Sequence, residues 1–253
     1  MQRAYQVWCA LLFDPIAVLQ KWRGVPTYLH NLFKYLRSAR GGGFAVRWTA
    51  LYPCLSDRYA KATSLRGHYF HQDLWAARQL YTLGVRHHID IGSRVDGFIA
   101  HILPFCAVTY VDIRALDVKS DGLEYVSASI SALPFASDSV RSLSSLSVLE
   151  HIGLGRYGDE VDPEGWRLAS RELSRVLQPK GLLLISVPVG YQQVMFDAHR
   201  IFAPETLCAA FPSLELVSFA LVDDEASCIR TDATFDDAWN CRFGCGLFAF
   251  RKN

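Results

Sequence analysis

The sequence predicts an α/β fold: a parallel sheet with helices on both faces. Three observations carry that expectation. The stretch His87-His88-Ile89-Asp90-Ile91-Gly92-Ser93-Arg94-Val95-Asp96-Gly97 reads as a short buried strand that ends at a glycine and turns into a helix. A second apolar run, 107–111, ends in Asp112, 20 residues beyond Gly92. Downstream, apolar runs of strand length alternate with amphipathic stripes at helical spacing. In open α/β sheets a strand, a tight glycine turn and a helix N-terminus present backbone N–H groups to a ligand. A strand–turn–helix unit that binds nothing has the same local pattern, so the turn alone does not assign a function.

The 253 residues suffice for one α/β domain plus an extension, and a 51% hydrophobic content supplies a large core. A net charge of +1 sets up no global field, and no nucleic-acid partner is expected. Seven cysteines without a framework suggest reduced thiols and a cytoplasmic setting. Cys241 and Cys245 lack a second pair at zinc-ligand spacing, and no metal is expected. No run reaches the ~18 apolar residues that span a bilayer. The apolar run 7–13 is too short for a signal peptide, and no small-residue cleavage site follows it.

Residues 1–43 read as an N-terminal helical extension. Trp8, Leu11, Leu12, Ile16, Leu19 and Trp22 share roughly one face, with a break at Asp14-Pro15 where a new helix can begin. Pro26 opens a further helical pattern through Leu29, Leu32, Phe33 and Leu36, flanked by Lys34, Arg37 and Arg40. Gly41-Gly42-Gly43 marks a boundary, and the α/β domain takes residues 44–253. Packing on that domain is the first expectation for the arm; a dimer arm and a peripheral membrane contact are the alternatives.

A mixed apolar stretch, 44–55, precedes a helical run through Trp75, Ala76, Leu80, Tyr81 and Leu83. His68 and His71 beside Asp73 read as pocket-rim or capping groups, since no third strong metal ligand follows. Beyond the glycine turn, Phe98, Ile99, Ile102 and Leu103 fall at helical spacing, with Asp96 near the helix start. Asp112 has the spacing at which an acidic strand tip reaches a ribose hydroxyl pair. A third strand, 123–126, follows the Asp121-Gly122 turn. Residues 140–148 alternate apolar and serine positions, as a strand with a polar exit would, and lead into Leu149-Glu150-His151-Ile152. The glycine-rich loop 153–159 lacks the Gly-Lys-Ser/Thr ending of a P-loop. Pro163 opens a helix with the stripe Trp166, Ala169, Leu173, Val176 and Leu177, stopped by Pro179-Lys180-Gly181. A fifth strand at 182–187, a short helix from Pro204 to Phe211, a sixth strand at 214–222, a polar acidic loop and a last strand at 246–250 complete the chain.

Asp90-x-Gly92, Asp112, Ala132-Leu133-Pro134-Phe135, Leu149-Glu150-His151-Ile152, Leu177-Gln178-Pro179-Lys180-Gly181 and the terminal strand resemble class I S-adenosylmethionine-dependent methyltransferases. More narrowly, YPCLSD, GHYFHQDL, DIGSRVDGFIAH, EHIGLGRYGD, SVPVG and AHRIF, in that order, resemble a methyltransferase-like family, domain of unknown function 268. The resemblance implies a Rossmann-like, mostly parallel seven-stranded sheet with an antiparallel last strand. It implies S-adenosylmethionine as cofactor and methyl transfer to an oxygen or nitrogen of a small-molecule or glycan acceptor. It assigns the cofactor's methionine end to Asp90, Gly92 and Ser93, the ribose to Asp112, and the adenine to Ser129 and Ile130, with Ile113 and Ser147 in the same cofactor set. Arg94 stands where the class usually has a second glycine, and two roles are open to it: crowding of the cofactor, or a guanidinium engaging the cofactor carboxylate or a substrate anion. Ser129 stands where the class often has an aspartate.

His151, at the carboxyl end of the fourth strand, is the first candidate general base, because a hydroxyl nucleophile needs a proton acceptor near neutral pH. Capping of the following turn is the alternative role. His199 is the second candidate, and Arg200 suits a phosphate or carboxylate on the acceptor. Arg156 and Tyr157, with His71, are expected on the acceptor side, under a glycine-rich lid that excludes water. Two other classes compete. A nicotinamide-dependent oxidoreductase is disfavoured by the missing Gly-x-Gly-x-x-Gly. A non-catalytic nucleoside-binding or scaffold protein would retain the fold without the chemistry.

Overall fold

Four parallel strands, β1 (His87–Ile91), β2 (Ala107–Asp112), β3 (Leu123–Ser127) and β4 (Val140–Leu146), form one half of the sheet in the order β3-β2-β1-β4. β5 (Leu177–Val189) continues it in parallel, and β9 (Gly244–Lys252) then runs antiparallel between β5 and β8 (Leu214–Val222). The order β3-β2-β1-β4-β5-β9-β8 is the mostly parallel seven-stranded sheet with an antiparallel last strand that the motifs imply. Strand order reverses between β1 and β4, and a crevice opens outside the carboxyl ends of strands at such a point.

This computed structural model describes residues 15–38, 46–55, 67–117 and 119–253, in two units, Met1–Ser64 and Leu65–Asn253. In the first unit, α1 (Pro15–Ser38) begins at the expected proline. The second pattern does not open a new helix at Pro26, which lies inside α1. A proline gives up one backbone hydrogen bond but keeps a helical φ, so the helix can continue through it. Gly24 lets the helix approach the extended segment after Ala50, where a Cβ would meet the Leu55 carbonyl oxygen. The readings at Trp8, Leu11, Leu12, Arg40, the triglycine and Ser56-Asp57, and those on the side chains of Ile16 and Leu19, lie outside what is described. No described helix is long and apolar enough to cross a membrane.

In the second unit, helices cover both faces of the sheet. One face packs on α2 (His68–Thr82) and on the π-helical turn Val95–Ile99 with α3 (Ala100–Ile102), burying Trp75, Ala76, Leu80, Phe98, Ile99 and Ile102. The other packs on α4 (Gly165–Val176) and α5 (Pro204–Ala209), burying Trp166, Ala169, Leu173, Leu207 and Phe211. β4 carries its serines inside the sheet: Ser142, Ser144 and Ser145 are all buried. They answer polar groups on β1. Ser144 donates to Asp90, so it accepts from His88 Nε2 (2.8 Å), and Ser142 donates to His88 Nδ1 (2.8 Å). Burial keeps that imidazole neutral, its pKa lowered to about 3.

Three local readings change. Pro179-Lys180-Gly181 is a bulge inside β5, with Val140 paired to Leu177, Ser142 to Leu182, and Lys180 at φ +62°. A hairpin, β6 (Gln193–Met195) and β7 (His199–Ile201), stands where no strand was expected, since three-residue strands carry no readable period. The acidic loop contains α6 (Phe235–Trp239), started by a capping box in which Thr234 and Asp237 satisfy each other's backbone N–H groups.

Phe248 is fully buried against Phe219, Phe235 and Phe250. Phe248→Ala should cost about 3–5 kcal/mol, measured by urea denaturation, because the rigid strands around it cannot collapse onto the void.

Candidate active site

The site is built on the turn after β1. Gly92 takes φ +72°, which an L side chain rarely adopts, and its N–H donates to the Val111 carbonyl (2.9 Å). Asp90 fixes the next residue: it accepts from the Ser93 N–H (2.9 Å), the Ser93 hydroxyl (2.6 Å) and the Ser144 hydroxyl. The Ser93 hydroxyl in turn accepts from the Leu146 N–H (3.1 Å), tying the turn to the end of β4. Asp90 itself is fully buried and does not line the cleft. Burial raises its carboxyl to about 6, against the lowering effect of those hydrogen bonds. Its contacts are with the turn and with β4.

A cleft of about 850 Å³ opens at this edge. It collects Gly92, Ser93, Arg94, Asp112, Ile113, Ser129, Ile130, Ser147, His151 and Tyr157. Asp112 is largely buried and fully engaged. Arg114 donates to it from its backbone N (2.8 Å), Nε (3.0 Å) and Nη2 (2.6 Å), and the Tyr110 hydroxyl donates at 2.9 Å. Burial alone would raise this carboxyl, but the Arg114 bonds outweigh it and hold it below the usual value. Arg94 pairs with the exposed Asp96 (3.0 Å) and lies over the Tyr69 ring, 4.8 Å from its centre. Ser147 takes φ +55°, unusual for a serine, and is held there from three sides. Its N–H reaches the Ser186 carbonyl (3.0 Å) and hydroxyl (2.9 Å), and its own hydroxyl donates to Gln72 Oε1 (2.7 Å).

On the far side of the cleft, His151 Nδ1 lies 2.7 Å from the Ala198 carbonyl. A carbonyl only accepts, so Nδ1 carries the proton and Nε2 the lone pair. Nε2 is 3.8 Å from Glu150 Oε1. Burial lowers the imidazole to about 4, against the raising effect of that carbonyl, so it is neutral at pH 7. The glycine loop closes on itself through Asp159, which accepts from the Gly153 N–H (2.6 Å) and the Tyr157 N–H (3.3 Å). Tyr157 lies between two guanidinium groups, Arg114 at 4.9 Å and Arg156 at 5.1 Å from its ring centre.

Several expected residues do not face the cleft. Arg200 is buried, and its guanidinium donates to the carbonyls of Ile152 (2.6 Å) and Pro163 (3.3 Å), so it straps the loop and leaves no donor fork for an anion. His199 packs on Phe243, ring centres 4.8 Å apart. His71 faces the Ala226 carbonyl (3.2 Å), away from the cleft wall. Arg156 donates to the Ala198 carbonyl (2.8 Å) and sits beside the wall. Among the described residues, no three His, Cys, Asp or Glu side chains converge as a metal site would require.

Other residues stand at the site beyond the candidate set, of which Asp73 alone was expected there, as a pocket-rim or helix-capping group. Tyr69 and Arg114 line the cleft, Gln72 and Asp73 are buried beneath it, and Glu150 is buried beside His151. Helical spacing offers a signal for α2, since Tyr69, Gln72, Asp73, Ala76 and Leu80 recur at intervals of three and four and share its inward side. Nothing local marks Glu150, whose burial depends on elements far away in sequence.

A protein of Mycobacterium sp. (strain JLS) described as "Uncharacterized methyltransferase" is 34% identical over 124 residues, covering 46% of this chain and 44% of that protein. The chain thus spans less than half the length of the curated relatives it matches. The N-methyltransferase NodS from Bradyrhizobium japonicum WM9, solved with S-adenosyl-L-homocysteine, is similar with a TM-score of 0.51 and 16% identity over 71% of this chain and 85% of that one. Burkholderia thailandensis 1,6-didemethyltoxoflavin-N1-methyltransferase, solved with 1,6-didemethyltoxoflavin and S-adenosylhomocysteine, has a TM-score of 0.51 and 14% identity over 96% and 92% of the two chains. At such identities the likeness is one of fold, the Rossmann-like sheet of class I methyltransferases. The family model described as "Caenorhabditis protein of unknown function, DUF268" matches residues 109–235, from within β2 to the start of α6. That span is half of the sequence and includes Asp112, Ser129, Ser147, Glu150 and His151, and the chain belongs to the DUF268 family.

Proposed function

We propose that the cleft binds S-adenosylmethionine and that the protein transfers its methyl group to an oxygen or nitrogen of a small-molecule or glycan acceptor. The observation that carries this reading is the meeting, in one cleft, of the Gly92-Ser93 turn and the Asp112 carboxylate at the tip of the adjacent strand. A nucleoside cofactor asks for both: close backbone approach at the turn and an acidic acceptor for the ribose hydroxyl pair. Ile113, 45% exposed beside Asp112, offers an apolar surface for a base, with Ser129 and Ile130 in the same wall. The curated relatives named methyltransferases and the similar folds solved with S-adenosylhomocysteine support the assignment. The six described cysteines are free thiols, which accords with a cytoplasmic setting.

When bound, the cofactor supplies an electrophilic methyl group on a sulfonium. The chain's own part is alignment, water exclusion and proton removal. Asp112 would exchange the Arg114 guanidinium for the ribose hydroxyls. The neutral His151 carries its proton on Nδ1 and keeps Nε2 as the acceptor nitrogen, as a general base requires. The loop held by Asp159 brings Tyr157 to the cleft wall and limits solvent there. A non-catalytic nucleoside-binding or scaffold role has one observation in its favour, the Arg114–Asp112 pair that satisfies the ribose acceptor internally.

Calorimetry with S-adenosylmethionine, S-adenosylhomocysteine and NAD separates these readings: the first two should bind and NAD should not. Asp112→Ala should weaken binding by about 1.5–3 kcal/mol, the range for hydrogen bonds to a charged group. Arg114→Ala removes the internal competitor and should tighten binding about two- to fivefold, the worth of a partly exposed ion pair. Weaker binding by that variant would make Arg114 a ligand contact.

His151→Ala should keep cofactor binding and lose about 10²–10⁴-fold in methyl transfer, followed with labelled cofactor and an acceptor found in cell extract. Turnover near the wild-type rate across pH 6–9 would reduce His151 to a cap on the Ala198 carbonyl.

A further inference from the structure

Among the described residues, two buried side-chain polar atoms have no hydrogen-bond partner, Glu150 Oε2 and His199 Nε2. Both residues adjoin His151: Glu150 Oε1 is 3.8 Å from its Nε2, and the His199 ring acts on it electrostatically. An unsatisfied buried carboxyl oxygen is costly, and a fold keeps one where it has a task. The geometry here is specific. The Ala198 carbonyl holds the His151 proton on Nδ1, which turns the basic Nε2 toward Glu150. We infer that Glu150 and His151 form one proton-holding unit, in which Glu150 acts through His151 as a positioning residue for proton removal from the acceptor.

The inference rests on the methyl-transfer reading for its chemistry. In the working form Glu150 is a carboxylate and His151 is neutral. As the acceptor's oxygen or nitrogen bonds to the methyl carbon, the carbon–sulfur bond breaks and the sulfur keeps the electron pair, becoming an uncharged thioether. The acceptor's proton passes to His151 Nε2. The resulting imidazolium is neutralised by the Glu150 carboxylate and later yields its proton to solvent. A carboxylate beside a base that becomes charged stabilises the protonated form.

The groups around Glu150 come from four elements. Tyr69 faces it from α2 and Cys245 from β9, Arg200 stands on β7, and Arg156 lies on its own loop. Arg156 lowers the carboxyl and burial raises it; burial dominates and takes it up to about 8. The sign for stability follows. Between its ordinary value of 4.5 and about 8, the folded state keeps a proton that the unfolded state has lost. The stability contributed by Glu150 is therefore complete at low pH and disappears as pH rises through about 8. Asp73 and Asp90 act in the same direction only up to about 6, and the lowered His88, His151, His68 and His199 act below 6.5. Above 6.5 and up to about 8, Glu150 is isolated.

The test uses the full chain with Glu150→Gln, and with Glu150→Asp as the variant that keeps a titrating group. From about pH 6.5 to 8 the wild-type folding constant should fall about tenfold per pH unit relative to Glu150→Gln. Nitrogen-15 NMR of the His151 ring should show a step near pH 8 in the wild type that is lost in Glu150→Gln and shifted in Glu150→Asp. With an acceptor, wild-type turnover should rise about tenfold per pH unit to a plateau near pH 8, and Glu150→Gln should be slower with a flat profile. Equal stability slopes, or an NMR step that survives in Glu150→Gln, would overturn the pairing. An unchanged turnover profile in Glu150→Gln would leave Glu150 a packing residue and overturn its part in proton removal. Failure of every acceptor would count against the methyl-transfer reading alone, because stability and NMR decide the shared proton without one.

Discussion

The buried carboxylate of Asp90 is the contact on which the site depends. Its three hydrogen bonds join residues that are neighbours in sequence, Asp90 and Ser93, to one that is 54 positions away, Ser144. The turn after β1 is thereby locked to β4, at the place where the order of the sheet reverses. Such a lock has to be inside the protein. In water the serine hydroxyls would be solvated equally well, and the carboxylate would impose no geometry on the turn. The neutral His88 extends the same chain of bonds through Ser144 to Ser142, so four polar residues of β1 and β4 hold the strands in register from within.

On that base, three carboxyl groups near the cleft are driven to different states. Asp112 is held below its ordinary value because the Arg114 bonds outweigh the penalty of burial. Asp90, with hydroxyl and amide partners but no cation, rises to about 6. Glu150, with an unsatisfied oxygen and a burial penalty that outweighs the Arg156 guanidinium, rises to about 8. Divergent carboxyl environments within one site give different charge states, here an ionised strand tip, a raised brace under the turn and a raised buried acid beside His151. Arg114 links two of these regions, since the guanidinium that satisfies Asp112 also lies against Tyr157 of the glycine loop.

Segments beyond the strand ends, more than the sheet, decide what the side chains of the cleft face. Sheet similarity persists at 14–16% identity, because burial on both faces constrains strand composition and order but not the side chains at the tips. The hairpin β6–β7 is an example. Its Ala198 carbonyl fixes the His151 tautomer, and its Arg200 straps the loop after β4, so a short hairpin orients the histidine at the cleft.

By itself the sequence determined the fold class, the position of most strands and the clustering of Gly92, Ser93, Arg94, Asp112, Ile113, Ser129, Ile130, Ser147, His151 and Tyr157 about one edge of a sheet. These follow from periodicity, turn chemistry and the rule that parallel strands present their carboxyl ends together, all of which are local or topological. The tertiary structure decided what each charged side chain faces. Arg200 and His71 looked available in sequence, yet backbone carbonyls from distant segments occupy them. Asp90 looked like a ligand contact and is a buried brace, while Glu150 passed as an ordinary acidic neighbour of His151 and is sealed in the core. Electrostatic role depends on burial and on partners 48 to 155 residues away, as for Arg200 and His71, and both come into being only when the chain has folded.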